Sequence, residues 1–158
     1  MKYVSPFKIK YDHDYILIAV ISTLQDYQFA YHLNKYPLFL FKRMEKDISY
    51  VINEHLIYFS AFKHLNSELQ RSVFIIQNKC VYATSLFLNQ GLFTQESITN
   101  TAFLIPELKE FDYLIKFVGI WKNSELLHFS KFLKNINSIE SQTNVSLSKL
   151  KAINNLVF

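Results

Sequence analysis

The sequence predicts an α+β domain: a mostly antiparallel sheet with two main helices packed on one face. Three observations predict it. Strand–helix–strand units stand near the two ends of the chain, at 15–44 and 112–147. Short apolar segments separated by polar turns fill the stretch between them. No repeat of fixed period and no composition shift divides residues 1–158, so they read as a single domain. A chain of 158 residues is long enough for one well-buried core, and a 50% hydrophobic content argues against disorder.

Tyr15–Ile21 is apolar and β-branched, which reads as a buried strand. Ser22 and Gln25 then form a Ser-x-x-Gln capping box, so a helix is expected to begin near Thr23. Leu24, Tyr27 and Tyr31, with Phe29, Ala30 and Leu33 as further candidates, give it an apolar stripe, and Asn34 and Pro37 end it. The alternative is one helix from Asp14 through Asn34; the β-branched run and the internal cap favour strand, then helix. Leu38–Met44 reads as the next strand, and Glu45–Glu54 as a linking stretch. His55–Lys63 alternates two largely apolar sets, as a strand covered on both faces does. After the polar connection His64–Gln70, Arg71–Asn78 is the return strand of a hairpin.

Lys79–Ala102 is the least regular part and reads as an insertion. A short strand is expected around Tyr82–Leu88, then a mobile polar loop containing Gly91. Asp112–Gly119 is a strand with Tyr113, Ile115 and Phe117 on one side and Leu114, Lys116 and Val118 on the other. Asn123 or Ser124 is expected to cap the second helix, whose stripe is Leu126, Phe129, Leu133 and Ile136. Ser138–Leu147 reads as the last strand, and Leu150–Phe158 as a tail docked on the core.

Composition narrows the function classes. The 15 Phe and 10 Tyr allow an aromatic binding surface, but they accompany abundant Ile, Asn and Lys with only Arg43 and Arg71, as AT-rich codon usage produces. A net charge of +4 without a lysine run gives weak support for nucleic-acid binding. Met1–Asp14 lacks the apolar core of a signal peptide, and Tyr15–Leu24 is far short of the roughly 20 residues that span a bilayer. The expected compartment is the cytoplasm, with no membrane partner.

Most familiar chemistry finds no pattern here. Gly91 and Gly119 cannot build a phosphate-binding loop. His13, His32, His55, His64 and His128 form no metal-ligand spacing; His55 and His64 flank one expected strand, about 30 Å apart. Cys80 is the sole cysteine, which excludes an intramolecular disulfide. It reads as a small packed hydrophobe although Lys79 is adjacent. No catalytic constellation, metal site or cofactor is implied.

The segment Ile105-Pro106-Glu107-Leu108-Lys109-Glu110-Phe111-Asp112-Tyr113 stands apart. Glu107 and Asp112 are paired carboxylates that could perform acid–base work if burial drove their pKa values apart. The plainer reading is a turn in which Pro106 fixes φ, Glu107 accepts backbone donors and Asp112 caps the turn over Leu108–Phe111. Tyr113 then fills the core with its hydroxyl at the rim.

The same residues resemble the motif of the bacterial IPExxxVDY family, with Phe111 in place of Val. Ile18–Ser22 followed by Asp26–Asn34 is similar to that family's strand-then-helix opening, although Gln28 stands where members often carry Arg. The ending Asn154–Phe158 is similar too, and Lys79–Thr101 is the main departure. The resemblance implies a small bacterial cytoplasmic protein and carries no established ligand, reaction or catalytic residue.

Three functions compete. The first is a non-enzymatic interaction or adaptor domain with a protein partner, in which Ile105, Pro106, Glu107, Asp112 and Tyr113 form or support the partner surface. The second is RNA or single-strand binding on an aromatic sheet face. The third is a small-ligand site or enzyme centred on Glu107 and Asp112, which requires a pocket beside the motif.

Overall fold

The computed structural model describes residues 14–86 and 96–158. The elements in chain order are β1 (Tyr15–Ser22), α1 (Asp26–Leu33), β2 (Lys42–Arg43), β3 (Ile48–Ile52), β4 (His55–Phe59), β5 (Ala61–Asn66), β6 (Arg71–Gln77), β7 (Lys79–Leu86), β8 (Glu96–Phe103), β9 (Tyr113–Val118), α2 (Asn123–Lys134) and β10 (Ile139–Asn144). Six strands form one antiparallel sheet in the order β10-β1-β9-β6-β5-β2, and β3–β4 and β7–β8 are two-stranded hairpins. The α+β expectation holds, and the alternation expected for β9 is the one observed.

That alternation builds two cores on one sheet. Tyr113, Ile115 and Phe117 join Ile18, Val20, Val73 and Ile75 on the face covered by α1 and α2, which contribute Phe29, Leu33, Phe129 and Leu133. Leu114 joins Leu17, Ala19, Phe74 and Ile76 on the opposite face. There the cover is the β3–β4 hairpin, through Ile48, Ile57 and Phe59, with Leu104, Ile105, Leu150 and Leu156. Both helices therefore lie on one face, as predicted, and neither face of the sheet is open.

Several expected elements are corrected. α1 starts at Asp26 because Gln25 and Gln28 form its cap, with the Gln25 N–H donating to Gln28 Oε1 at 3.0 Å. Ser22 is spent on the sheet end instead: its hydroxyl donates to the Ser138 carbonyl (2.8 Å) and accepts from the Leu24 N–H (3.3 Å). Likewise Lys122, not Asn123 or Ser124, precedes α2, and its N–H donates to Glu125 Oε2 at 2.9 Å. Leu38–Met44 pairs with β5 only over its last three residues, at Lys42, Arg43 and Met44, whose N–H donates to the Ala61 carbonyl at 2.9 Å. Upstream, the Asn34 side chain binds both backbone groups of Phe41 (2.6 and 3.1 Å), and His64 Nδ1 accepts from the Leu40 N–H (3.0 Å).

Residues 45–54 are not a mere link, since Ile48, Tyr50 and Ile52 alternate inward on β3. The turn to β4 uses Asn53 and Glu54 at positive φ, the geometry of a two-residue hairpin turn, without the glycine that would have announced it. The expected His55–Lys63 strand breaks at Ser60. Ser60 Oγ bonds Gln77 Oε1 (3.1 Å), and the Gln77 N–H donates to the Ser60 carbonyl (2.9 Å). The break sends β4 over the sheet while β5 stays in it, so His55 and His64 belong to different sheets. Within 79–102, the expected strand around Tyr82 is part of the longer β7, and Glu96–Ala102, expected as loop, belongs to strand β8 paired with it. Gly91, the centre of the expected loop, and the N-terminal lysines Lys2, Lys8 and Lys10 lie outside the described residues. The final strand shortens to β10, and Leu150 and Leu156 of the tail are buried.

At the far end of β9, Gly119 has φ +98° and an added Cβ would stand 2.6 Å from Arg71 Cβ, so only glycine fits. Arg71 pairs bidentately with Glu125 (2.9 and 3.1 Å) and lies 4.0 Å over the Trp121 ring. Among the described residues no helix is long and apolar enough to cross a membrane.

Candidate functional site

The signature segment is an excursion from a strand ladder. On one side β6 runs into β7 through the single residue Asn78; on the other, Leu104–Asp112 lies between β8 and β9. The ladder resumes directly on each side, with Lys79 opposite Phe103 and Gln77 opposite Tyr113. Asn78 closes the gap. Its N–H donates to the Asp112 carbonyl and its carbonyl accepts from the Leu104 N–H, both at 2.8 Å. Its Oδ1 accepts from the Ile105 N–H (2.9 Å), and its Nδ2 donates to the Leu108 (2.9 Å) and Phe111 (3.0 Å) carbonyls. This fully buried amide meets its backbone and side-chain demands within the turn it organises.

The motif residues then take distinct places. Pro106 opens a one-turn helix, Pro106–Leu108, where its missing N–H costs nothing. Ile105 is fully buried and plugs the second core. Tyr113 stacks on Phe29 with ring centroids 4.3 Å apart, and its hydroxyl donates to the Leu24 carbonyl at 2.6 Å. Burial pushes that phenol well above its ordinary range.

Glu107 and Asp112 are committed to different segments. Glu107 Oε1 accepts from the Lys151 (2.7 Å) and Ala152 (3.1 Å) N–H groups of the tail. Hydrogen bonding, its own N–H first, holds this carboxyl below the usual range. Asp112 Oδ2 accepts from the Ser22 N–H at 3.0 Å, and its Oδ1 lies 3.9 Å from Lys79 Nζ. The turn that Asp112 was expected to cap closes through its own backbone, Leu108 N–H to Ile105 and Phe111 N–H to Leu108. Asp112 instead ties the signature to the end of β1.

A cleft of about 700 Å³ opens beside Asp112, bordered also by Gln25, Gln77, Lys79, Cys80 and Glu140. Glu107 does not border it. Burial raises the Cys80 thiol pKa, which keeps it protonated and a poor nucleophile. Among the described residues no three His, Cys, Asp or Glu side chains group as metal ligands. The cleft's remaining groups can offer hydrogen bonds of both kinds and one ion pair.

A second cleft, of about 740 Å³, lies where β2 leaves β5 and is lined by Lys42, Lys46, Lys63, Glu45, Leu40 and Leu65, among others. Sequence reading missed it, and it missed Asn78 and Lys116 as buried polar groups. Asn78 had one available signal, a polar residue ending an apolar strand run directly before Lys79. Lys116 interrupts the apolar inward set of β9 in the same way.

No family model matches the chain, and no curated protein or solved structure is significantly similar to it.

Proposed function

We propose that this chain is a non-enzymatic interaction module that binds another protein. The supporting observation is the outer face of the β3–β4 hairpin. Its inner residues are buried on the sheet, as a hairpin cover requires, yet its outer face is also apolar. Val51 (69% exposed) and Leu56 (52%) are cross-strand partners, and Tyr58 (55%) stands two residues from Leu56 on the same side. A solvated hairpin face is ordinarily polar; contiguous exposed apolar side chains mark contact surfaces.

The other readings draw less support. An aromatic platform for single-stranded RNA needs an open sheet face, and both faces are covered. An acid–base pair needs Glu107 and Asp112 in one site, and they bind separate segments. Membership of the IPExxxVDY family is part of the proposal, carried by the Ile105–Tyr113 residues together with the similar segments Ile18–Ser22, Asp26–Asn34 and Asn154–Phe158.

The test is cross-linked affinity purification from native cells with the wild type and with Val51→Lys/Leu56→Lys. The expected result is a partner that the wild type retains and the variant loses, with the thermal midpoint unchanged. A monomeric wild type that retains nothing would overturn the proposal.

A further inference from the structure

We propose that the free edge of β10 joins a second copy of this chain, so that the six-stranded sheet continues across a two-fold axis at Thr143. This surface is separate from the β3–β4 face and uses none of its residues.

The first argument is the backbone. β10 ends the sheet, and among the described residues no strand lies on its outer side. Along its ladder with β1, Ala19 stands opposite Thr143 and Ile21 opposite Ser141, and the Val145 N–H donates to the Leu17 carbonyl at 2.9 Å. Antiparallel neighbours exchange hydrogen bonds at every second position. Thr143 and Val145 therefore face β1, while Gln142 and Asn144 turn their N–H and C=O groups outward. The register shift between Ile21 and Ser22 makes Glu140 a bulge and ends this regular stretch. Two outward residues flanking Thr143 are self-complementary. Gln142 of each copy meets Asn144 of the other, four hydrogen bonds form about the axis, and the assembly closes as a dimer.

The second argument is what the edge carries. Sheet edges are ordinarily protected from pairing by lysine or proline. The opposite edge fits that rule, with Lys42 and Arg43 on β2 and further lysines in the notch where it leaves β5. β10 reads Ile-Glu-Ser-Gln-Thr-Asn and has neither protection. Its one charge, Glu140, lies outside the four-bond stretch. The symmetric register sets Thr143 against Thr143, a favourable cross-strand pair at the closer of the two spacings. It sets Glu140 against Ser146 of the second copy, so no like charges meet on the edge.

The third argument is the helix above the edge. α2 lies over β1 and β10: Phe129 and Leu133 share a core with Ile18 and Val20, and Gln142 Nε2 donates to the Ser130 carbonyl (2.8 Å) and hydroxyl (3.0 Å). Strands in a sheet are about 4.8 Å apart, so a second copy brings its own α2 to roughly 10 Å, the distance at which helices pack. The side of α2 toward this edge carries the small residues Asn123 and Ser130, which permit that approach. Leu127 borders the same side, beside a cleft of about 340 Å³ that reaches Asn144, and is 61% exposed. A second α2 there shields the leucine of each copy from water.

The experiment follows the mass of the full chain by sedimentation velocity across a concentration series. A mass twice that of the chain is expected at high concentration, falling on dilution. Asn144→Pro removes an outward N–H and no bond to β1, so the fold is kept while two of the four bonds are lost. The dimer should weaken at least about tenfold. Thr143→Lys leaves the backbone intact and sets two ammonium groups together at the axis, and should weaken it by a smaller factor. Cysteines then read the register, in a Cys80→Ala background. Thr143→Cys should oxidise to a disulfide-linked dimer, because opposed residues of such a pair stand about 4.5 Å apart. Ser141→Cys should not, since four residues of strand, about 13 Å, separate it from its mate. Circular dichroism checks that each variant folds; if Asn144→Pro does not, Thr143→Lys and the cysteines decide. Val51→Lys/Leu56→Lys should dimerise like the wild type. The proposal is overturned if the wild type stays monomeric up to about 1 mM. It is also overturned if neither Asn144→Pro nor Thr143→Lys weakens the dimer, or if Ser141→Cys cross-links as readily as Thr143→Cys. Because the β3–β4 proposal is read from partner retrieval, its failure and this one are separately visible.

Discussion

The signature turn and the β2–β5 notch are both interruptions of a strand ladder, and they treat the freed backbone groups in opposite ways. At the turn, Asn78 alone supplies five hydrogen bonds to Leu104, Ile105, Leu108, Phe111 and Asp112, and the excursion is sealed. At the notch, Asn34 and His64 satisfy the departing strand, while on β5 only Leu65, beyond the Lys42–Lys63 pair, has no strand beside it among the described residues. A single side chain that reproduces ladder pairing lets a long excursion persist inside a core. A half-sealed interruption instead leaves the pairing groups of one residue, Leu65, at the surface. The turn is closed within the core, and the notch is closed only on the side of the departing strand.

The largest effect that tests this contrast is at Asn78. Asn78→Ala strips partners from the Ile105 N–H and from the Leu108 and Phe111 carbonyls. At about 1–3 kcal/mol for each buried group left unsatisfied, a loss of at least about 3 kcal/mol is expected by urea denaturation. Asn78→Asp keeps the acceptor for Ile105 but turns a carboxylate toward two carbonyls, so it should be poorly folded at neutral pH and partly recovered in mild acid. A cost below about 1 kcal/mol for Asn78→Ala would show that the turn holds itself.

Asn34→Ala comes next and probes the notch. Phe41 loses two hydrogen bonds at a site less buried than Asn78, so about 1–2 kcal/mol is expected. The freed Phe41 backbone can then extend the β2 pairing along β5. Amide exchange at Leu65 should slow if the strand lengthens; unchanged exchange would mean that Asn34 does not keep the notch open.

What the sequence revealed follows the range of the interactions involved. The two-faced pattern of β9, the stripe of α2 and the β5–β6 hairpin are local periodicities, and they were readable; in α1 Tyr27 and Tyr31 stand exposed, and Phe29, Ala30 and Leu33 form the buried face instead. The hairpin β3–β4 was hidden because Asn53 and Glu54 turn it without glycine, and β4 and β5 looked like one strand because Ser60 breaks them only by bonding Gln77. The signature was legible as a proline-fixed turn. Its organiser was not, since Asn78 lies 27 residues before Ile105 in sequence and reaches it only through the fold. Likewise the Glu107 partners, 44 and 45 residues away, could be anticipated as backbone donors but not as the tail.

Glu107 gives a smaller, pH-dependent effect. Its folded pKa is lowered, so its contribution is present above the ordinary 4.5 and is lost as pH falls through the folded value. Glu125, lowered chiefly by its hydrogen bond to Arg71, changes in the same sense. Glu107→Gln keeps an acceptor for Lys151 and Ala152 but no charge. It should cost no more than about 1 kcal/mol at neutral pH, because the group is solvent-exposed. The difference from the wild type should vanish in acid, as the wild-type carboxyl takes up its proton. A gap that persists there would mean that packing, and not charge, carries the contact with the tail.

Lys116→Met should have the smallest net effect, and it separates a buried amide from a buried cation. Lys116 is only 8% exposed, and its Nζ donates to the Leu156 carbonyl at 2.6 Å. The ammonium lies 4.6 Å from the Tyr15 ring and 4.7 Å from the Phe158 ring, and among the described residues no carboxylate pairs with it. Burial lowers its pKa, so the folded chain holds this proton less firmly than the unfolded chain does. The cost is present below the folded pKa and is relieved as pH climbs toward the ordinary 10.5. Methionine has similar length and keeps the packing, while removing both the desolvation cost and one hydrogen bond. Stability at neutral pH should therefore stay within about 1 kcal/mol of the wild type, or rise slightly. The wild type's gain on alkalinisation should be missing from the variant. The comparison belongs below pH 10, because Tyr15, raised to about 12, begins to cost stability above that as the unfolded tyrosine ionises. A loss above about 2 kcal/mol would mean that the cation–carbonyl contact clamps the tail as firmly as Asn78 holds the signature turn.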